Sequence, residues 1–190
     1  MDQDNNIGSL IPKPPSSLET AQPGAKRIIA VMVADILALA PAEDAEALFR
    51  KACAYRDGDG VPQDHAEAFR WFCRAAERGH ADAQFELGSC YFKGHGVPRD
   101  SAQAAHWYRK AAEQGLTQAQ CKLGVMHSNG EGVPKKNVAA YKWYNLAAAQ
   151  GDEPAAKNRR LIEQKMTPQQ IAEAQRLSAQ FAHRKARHPD

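Results

Sequence analysis

The sequence predicts an all-α fold in which helix–turn–helix repeats stack into a solenoid, and three observations lead to this prediction. A Gly-x-Gly-Val-Pro element occurs three times at intervals of 36 residues, beginning at Gly58, Gly94 and Gly130. The same interval separates the three tryptophans: Trp71, Trp107 and Trp143. Between these markers, apolar residues recur at the period of an α-helix. A fixed interval of roughly 20 to 50 residues is typical of stacked-repeat proteins.

The unit at 81–116 shows how each element of a repeat is predicted. One face of its first helix carries residues spaced four apart: Ala83, Leu87 and Tyr91. Gly94 and Gly96 end this helix, because glycine readily takes the left-handed conformation at a helix exit, and Pro98 cannot continue it. Asp100 is a strong N-cap for a second helix. That helix carries an apolar stripe: Ala104, Trp107, Tyr108 and Ala111.

Two glycines fall inside the predicted first helices. Gly88 and Gly124 occupy positions where glycine costs up to about 1 kcal/mol relative to alanine. The cost is explained if the second helix crosses closely at this point, and the first repeat has the small residue Ala52 there. Of the three tryptophans, we expect Trp107 to matter most for stability, because its repeat has a neighbour on each side.

The combined pattern identifies a family resemblance. It reads A-x-A-x-x-x-L-G-x-x-Y-x-x-G-x-G-V-P-x-D, followed by A-x-x-W-Y-x-x-A-A-x-x-G, over residues 45–152 in three units. This pattern resembles the Sel-one-like repeat (SLR), a relative of the tetratricopeptide repeat. The resemblance implies a right-handed α-α superhelix whose usual role is to hold other proteins. Two positions depart from the pattern: Lys51 replaces its leucine, and His127 replaces its tyrosine.

A cysteine-rich branch of this family joins its repeats by disulfides, and the positions that match those cysteines are different here. They are occupied by Ala76 and Gln84, and by Ala112 and Gln120. The properties of that branch are therefore not expected of this chain.

The resemblance and the composition together predict how the chain is organised. In order, we expect a flexible tail (1–24), an N-terminal capping helix (25–42), three repeats (43–80, 81–116 and 117–152), a partial repeat with a capping helix (153–184) and a tail (185–190). Terminal units of a stack are expected to differ from the internal ones, because one of their faces has no neighbouring repeat.

The segment 25–42, "AKRIIAVMVADILALAPA", allows two interpretations. Shifted by one repeat, much of it aligns with a second helix, which favours a capping helix lying on the first repeat. It also has the basic start, the short apolar run and the Ala-x-Ala of a signal peptide. Asp35 interrupts the apolar run, and the run begins far from Met1. We therefore expect a capping helix and a cytoplasmic location, with export as the alternative.

The C-terminal part is expected to close the stack in a different way. Arg159 and Arg160 occupy the positions of the Leu–Gly pair, so the last unit cannot pack like the others. Thr167 and Gln170 predict a capping box for a final helix over 167–184. The basic residues of this region are interpreted as a solvated face, because no aromatic residues are interleaved with them as in nucleic-acid surfaces.

The sequence contains no motif of enzymatic or metal chemistry. The Gly-x-Gly-Val-Pro hinge is not a phosphate loop, since a helix precedes it and no Lys-Ser/Thr follows it. The four cysteines lack CxxC spacing, and the histidines do not pair at metal-ligand spacing. A formal net charge of +3 does not indicate a polyanion partner. We expect no cofactor, metal, nucleic acid, small-molecule substrate or membrane span.

The predicted function is a non-enzymatic scaffold or adaptor that binds a protein or peptide through the concave face of its repeats. By analogy with tetratricopeptide grooves, the first helices line that face. The candidate residues are Phe49, Cys53 and Arg56, then Phe85, Ser89, Phe92 and Lys93, then Cys121, Val125 and Ser128. Phe92 and Lys93 are the preferred anchors, because the other repeats have no aromatic at the position of Phe92 and packing does not require one.

Two other functions remain open from the sequence. One is an exported or envelope-associated repeat protein with a regulatory or assembly role. The other is an enzyme whose site the pattern does not reveal.

N-terminal sequencing of the protein purified from its native host tests the interpretation of residues 25–42. We expect the chain to begin at Met1 or Asp2, or to have a ragged start within the tail. A single clean start near Pro41 would identify the apolar run as a cleaved signal peptide.

Overall fold

A computed structural model describes residues 44–187, and every regular element in this range is an α-helix. We number the helices in chain order: α1 (Ala45–Asp57), α2 (His65–Glu77), α3 (Ala81–Lys93), α4 (Ser101–Glu113), α5 (Thr117–Asn129), α6 (Asn137–Ala149), α7 (Glu153–Glu163) and α8 (Pro168–Arg187). The first six form three antiparallel hairpins that stack in order, which confirms the predicted all-α solenoid. The predicted tail at 1–24 and capping helix at 25–42 lie outside the described residues.

The same backbone geometry builds all three hinges. The first helix of each repeat ends at a glycine with φ between 74° and 80°, a conformation that side chains with a Cβ rarely adopt. A backbone hydrogen bond closes each hinge. In the second repeat the Asp100 N–H donates to the Tyr91 carbonyl across 2.9 Å. The Asp100 carboxylate then accepts from two N–H groups of the first turn of α4, at 2.9 and 3.0 Å. The hinge therefore reverses the chain with its backbone groups bonded locally.

The two helices of a hairpin touch where the first helix carries its smallest residue. A Cβ added to Gly88 would lie 2.8 Å from the ring of Tyr108, and one added to Gly124 would lie 2.6 Å from the ring of Tyr144. Both distances are well below an ordinary van der Waals contact, so no larger residue fits. Ala52 has this position in the first repeat and is fully buried. The expected close crossing is present.

Glutamine side chains join neighbouring repeats inside the stack. The Gln84 amide donates to a carbonyl in the last turn of α2 across 3.2 Å. The Gln114 amide donates to Gln84 Oε1 at 2.8 Å and to the Gly79 carbonyl at 2.7 Å. The same three bonds recur one repeat later, with Gln120 and Gln150 as the side chains. Hydrogen bonds thus occupy the places where the cysteine-rich branch has disulfides.

The last two helices do not form a fourth hairpin of the same kind. Helix α7 packs against α6, as each first helix packs against the preceding repeat, but α8 leaves α7 and packs against α6. Arg159 donates to Asn145 Oδ1 at 2.7 Å, and Asn145 donates to Ser178 Oγ at 3.1 Å, so one polar chain links α7, α6 and α8. Thr167 and Gln170 exchange the two hydrogen bonds of the predicted capping box.

Helix α8 is longer than the sequence predicts. It continues to Arg187, and the Lys185 ammonium donates to the carbonyl of Gln114 at the end of α4. Residues 185–187 therefore belong to the cap, although the sequence assigns them to the tail. The physical reason is that the end of α8 reaches back to the second repeat, a contact that local sequence does not reveal.

The position of α8 also determines which of the three tryptophans is most deeply buried. Trp143 is only 5% exposed, because Phe181 covers it with a ring-centroid distance of 5.5 Å. Trp71 and Trp107 are half-buried, and the Lys110 ammonium lies 4.3 Å from the ring centroid of Trp107. Trp107 is therefore less buried than the sequence predicts, and Trp143 replaces it as the tryptophan that we expect to matter most for stability.

We expect Trp143→Ala to lower the free energy of unfolding by about 3–5 kcal/mol, the usual cost of removing a buried aromatic side chain. Trp107→Ala should cost less, because much of that ring is already in contact with water. Urea melts of the two variants give the comparison. A loss for Trp107→Ala that equals or exceeds the loss for Trp143→Ala would contradict the packing of α8 over Trp143.

Candidate partner-binding surfaces

The predicted partner-binding residues share one face of the stack. Because the repeats have a period of 36 residues, Cys53, Ser89 and Val125 occupy the same position in α1, α3 and α5. Residues four before and three after this position complete the set, which we call the first-helix face: Phe49, Cys53, Arg56, Phe85, Ser89, Phe92, Cys121, Val125 and Ser128. All nine side chains are partly exposed. The face is thus a continuous row of side chains that the core does not fully cover.

The two phenylalanines of the first position also contribute to the core. The Phe49 ring lies 5.9 Å from the Phe72 ring and stacks on His80 at 4.5 Å between centroids. The Phe85 ring lies 5.4 Å from the ring of Tyr108. Each ring is therefore packed against other rings and still partly exposed, so both structural and binding roles are compatible with its position.

The polar members of the face have partners within the protein. Arg56 forms ion pairs with Asp57 at 2.8 Å and with Glu86 at 3.1 Å, and its hydrogen bond with Asp57 raises the pKa of the guanidinium. Ser89 Oγ donates to the Phe85 carbonyl at 3.1 Å. A partner that used Arg56 or Ser89 would compete with these contacts.

Phe92 is less exposed than the sequence predicts, whereas Lys93 is fully at the surface. The Phe92 ring is half-buried and packs against the hydrophobic core. The Arg99 guanidinium lies 5.4 Å from its ring centroid and pairs with Glu131 at 2.8 Å. One side of the ring is therefore covered by a side chain from the following hinge.

Leu161 extends the first-helix face and was not identified from the sequence. It lies on α7 at the position that Val125 occupies on α5. Leu161 is 58% exposed and is the only large apolar residue classed as exposed among residues 44–187. Counting 36 residues on from Val125 leads to Leu161. The last unit matches the repeat pattern poorly, however, so that pattern gave no reason to extend the face that far.

A second surface, the basic pocket, lies between α4, the start of α6 and α8. It is a cleft of about 850 Å³ whose charged lining comprises Arg109, Lys135, Lys136, Lys142, Glu113 and Glu173. Four cations thus face two carboxylates. Within the described residues none of the four cations has an ion-pair partner within 4.0 Å. This pocket was not predicted from the sequence.

The N-cap at the pocket differs from the other two hinges. In the first and second repeats, Asp64 and Asp100 accept from the backbone N–H groups of the following helix. Lys136 stands at the same position before α6, with nearly the same backbone angles (φ −146°, ψ 106°), and no side chain caps this helix. The third repeat therefore has a cation where the others have a carboxylate.

Lys142 lies on the inner wall of the pocket. Its ammonium is 4.3 Å from the ring centroid of Trp143 and 5.0 Å from that of Phe181. Burial lowers the pKa of Lys142, Arg184 and Arg109 lower it further by repulsion, and Glu113 opposes the shift. Burial and the neighbouring cations therefore both disfavour the charged form of Lys142.

The cysteine side chains of the described residues are weakly ionised at neutral pH. All four cysteines are free, and burial raises the pKa of Cys73, Cys90 and Cys121 to about 11, so few thiolates form at neutral pH. Within residues 44–187 no three metal-binding side chains cluster, and no helix has the length and apolar character to cross a membrane.

Comparison with known proteins places these features in context. The family described as Sel1 repeat matches residues 45–80, 81–116 and 117–152. Among solved structures, a protective antigen of uropathogenic Escherichia coli with an SLR fold has a TM-score of 0.68 and 34% identity, over 77% of this chain and 33% of that one. A Sel1 repeat protein from Oxalobacter formigenes has a TM-score of 0.62 and 37% identity, over 65% and 51%. The chain thus spans a third to a half of these proteins. No curated protein matches it significantly.

The missing cap predicts that Lys136→Asp stabilises the protein. An aspartate there can accept from the first turn of α6 as Asp64 and Asp100 do for α2 and α4, which should add about 1 kcal/mol to the free energy of unfolding. Lys135→Asp is the matched control, since it makes the same charge change one residue before the cap. Urea melts that show equal effects for the two variants would assign the gain to charge rather than to capping.

Proposed function

Because the chain belongs to the Sel1 repeat family, we propose that it is a non-enzymatic scaffold that binds a segment of a protein partner along the first-helix face. Proteins of this family generally act in protein–protein interaction. The first helices of related grooves line the concave side of the stack, and we assign the same role to α1, α3, α5 and α7.

The exposure of Leu161 is the observation that carries this proposal. A single exposed leucine is common at a protein surface, so Leu161, which is 58% exposed, is informative because of the row of side chains that it continues. Leu161 continues the row of Cys53, Ser89 and Val125, so the apolar site lies at the end of a partly exposed face rather than alone. Peptide segments bind such rows with a few apolar anchors surrounded by weaker contacts.

The chemistry of the face also suggests what the partner presents. Phe92 offers the uncovered side of its ring, and Lys93 offers a solvated cation one residue later. A segment that places an apolar side chain toward Leu161 and Val125, with an acidic residue near Lys93, complements both features. The half-buried state of Phe92 makes it a secondary anchor, because truncating it also removes core contacts.

An exported role is a second candidate function. The E. coli neighbour is described as a protective antigen. The basic and apolar composition of residues 25–40 is compatible with export. N-terminal sequencing of the native protein decides between this candidate and a cytoplasmic scaffold.

Affinity capture with the full chain, followed by mass spectrometry and titration of the captured partner, tests the proposed scaffold. We expect Leu161→Ser to weaken binding about thirtyfold, which corresponds to the roughly 2 kcal/mol typical of an interface anchor, while leaving stability nearly unchanged. Phe92→Ala should weaken binding as well, with some loss of stability.

Gln103→Ala is the control, because Gln103 is exposed on α4 and lies outside the first-helix face. Unchanged affinity for a folded Leu161→Ser variant, together with lost affinity for Gln103→Ala, would move the interface to the second helices and refute the proposed site.

A further inference from the structure

The basic pocket concentrates positive charge at a place where the repeat pattern normally supplies a carboxylate. Arg109 comes from α4, Lys135 and Lys136 come from the hinge, and Lys142 comes from α6. None of these four residues forms an ion pair within 4.0 Å in the described part of the chain. Like charges held together without counterions repel one another, so an anion that enters the pocket is attracted to all four.

The other two repeats show what anion fits the backbone at this position. Asp100 Oδ1 lies 2.9 and 3.0 Å from the N–H groups of Ala102 and Gln103, and Asp64 Oδ1 lies 2.8 and 3.0 Å from the equivalent groups of α2. The corresponding groups of α6 belong to Val138 and Ala139, which line the pocket. A carboxylate oxygen is thus the group that this backbone geometry binds twice within the same protein.

We propose that the basic pocket binds the carboxylates of an acidic protein segment, one of which caps α6 in the way that Asp64 and Asp100 cap α2 and α4. This inference extends the proposed scaffold function to a second surface, formed by second helices and α8 rather than by first helices. Lys142 and Arg109 pair with the same carboxylate or with its neighbour, and the flanking residues of the segment lie along the cleft between α4 and α8.

Two features favour an acidic protein segment over a nucleic acid. Glu113 and Glu173 also line the pocket, and these carboxylates repel a continuous chain of phosphates but tolerate a segment with a few separated charges. The two aromatic rings in the lining, Trp143 and His127, are only 5% and 7% exposed and cannot offer a face for base stacking.

The experiment uses the full-length protein and a fluorescein-labelled octapeptide, Gly-Ser-Glu-Asp-Glu-Asp-Ser-Gly, in fluorescence anisotropy at low salt. A matched peptide with glutamine and asparagine in place of the acids controls for contacts other than charge. We expect the acidic peptide to bind and the amide peptide not to bind. Added salt should weaken binding, because it screens charges at a surface.

Lys136→Asp is the decisive variant, because it supplies the missing carboxylate within the chain. It should weaken binding of the acidic peptide at least about tenfold while the protein remains as stable as the wild type or more so, which excludes unfolding as the cause. Lys142→Gln should weaken binding in the same direction. Lys122→Asp makes the same charge change at an exposed site on α5 outside the pocket, and it should bind like the wild type.

Several results would overturn the proposal. They are equal binding of the acidic and amide peptides, unchanged binding by Lys136→Asp, an equal loss with Lys122→Asp, and tighter binding of an oligothymidylate than of the acidic peptide. Because none of these variants alters the first-helix face, failure here leaves the proposed scaffold site standing. Failure of Leu161→Ser to affect the captured partner would likewise leave the basic pocket untouched.

Discussion

The close crossing of the two helices in each hairpin is the contact on which the rest of the structure depends. At Gly124 the ring of Tyr144 approaches so closely that a methyl group would lie 2.6 Å from it, and the same holds at Gly88 with Tyr108. The glycine costs some helix stability, but it lets a large ring of the second helix fill the space beside the first. Wherever this small residue is present, the chain forms a repeat that can stack on its neighbours.

The absence of the small residue at one position accounts for the unusual C-terminal end. Arg160 stands where Gly88 and Gly124 stand, so α8 cannot cross α7 closely and packs on α6 instead. Three consequences follow from this displacement. Phe181 covers Trp143, a cleft remains between α4 and α8, and Leu161 on α7 stays largely exposed. The basic pocket and the Leu161 end of the first-helix face therefore arise where the repeat pattern ends.

The glutamine bonds give the stack a polar element inside its interface. Gln84 and Gln120 are buried. Each donates to a backbone carbonyl of the preceding repeat and accepts from a second glutamine of the same repeat. A buried amide is tolerated in the interior when all its hydrogen bonds are formed. It also fixes the register between units, because a shifted register would leave the amide without hydrogen-bond partners. Such bonds act only between neighbours, as is general in solenoids.

The first-helix face was largely predictable, whereas the basic pocket was not. The repeat interval alone places Phe49, Phe85 and Val125 on one side of the stack, and the structure shows them partly exposed. The contact of the Arg99 guanidinium with the Phe92 ring was not predicted, because it depends on the conformation of a side chain in the hinge. The pocket was missed because it combines residues of α4, α6 and α8 that are distant in the chain.

The sequence by itself determined the hairpin, the three hinges, the helix caps and the repeat register. These features depend on groups within a few residues of one another: a glycine with positive φ, an aspartate that caps the next turn, a helical period of apolar side chains. Only the tertiary structure decided where α8 lies, which tryptophan is buried and which surfaces remain open. Those outcomes depend on whether helices far apart in the chain can approach each other, and that is a matter of side-chain volume at their crossing points.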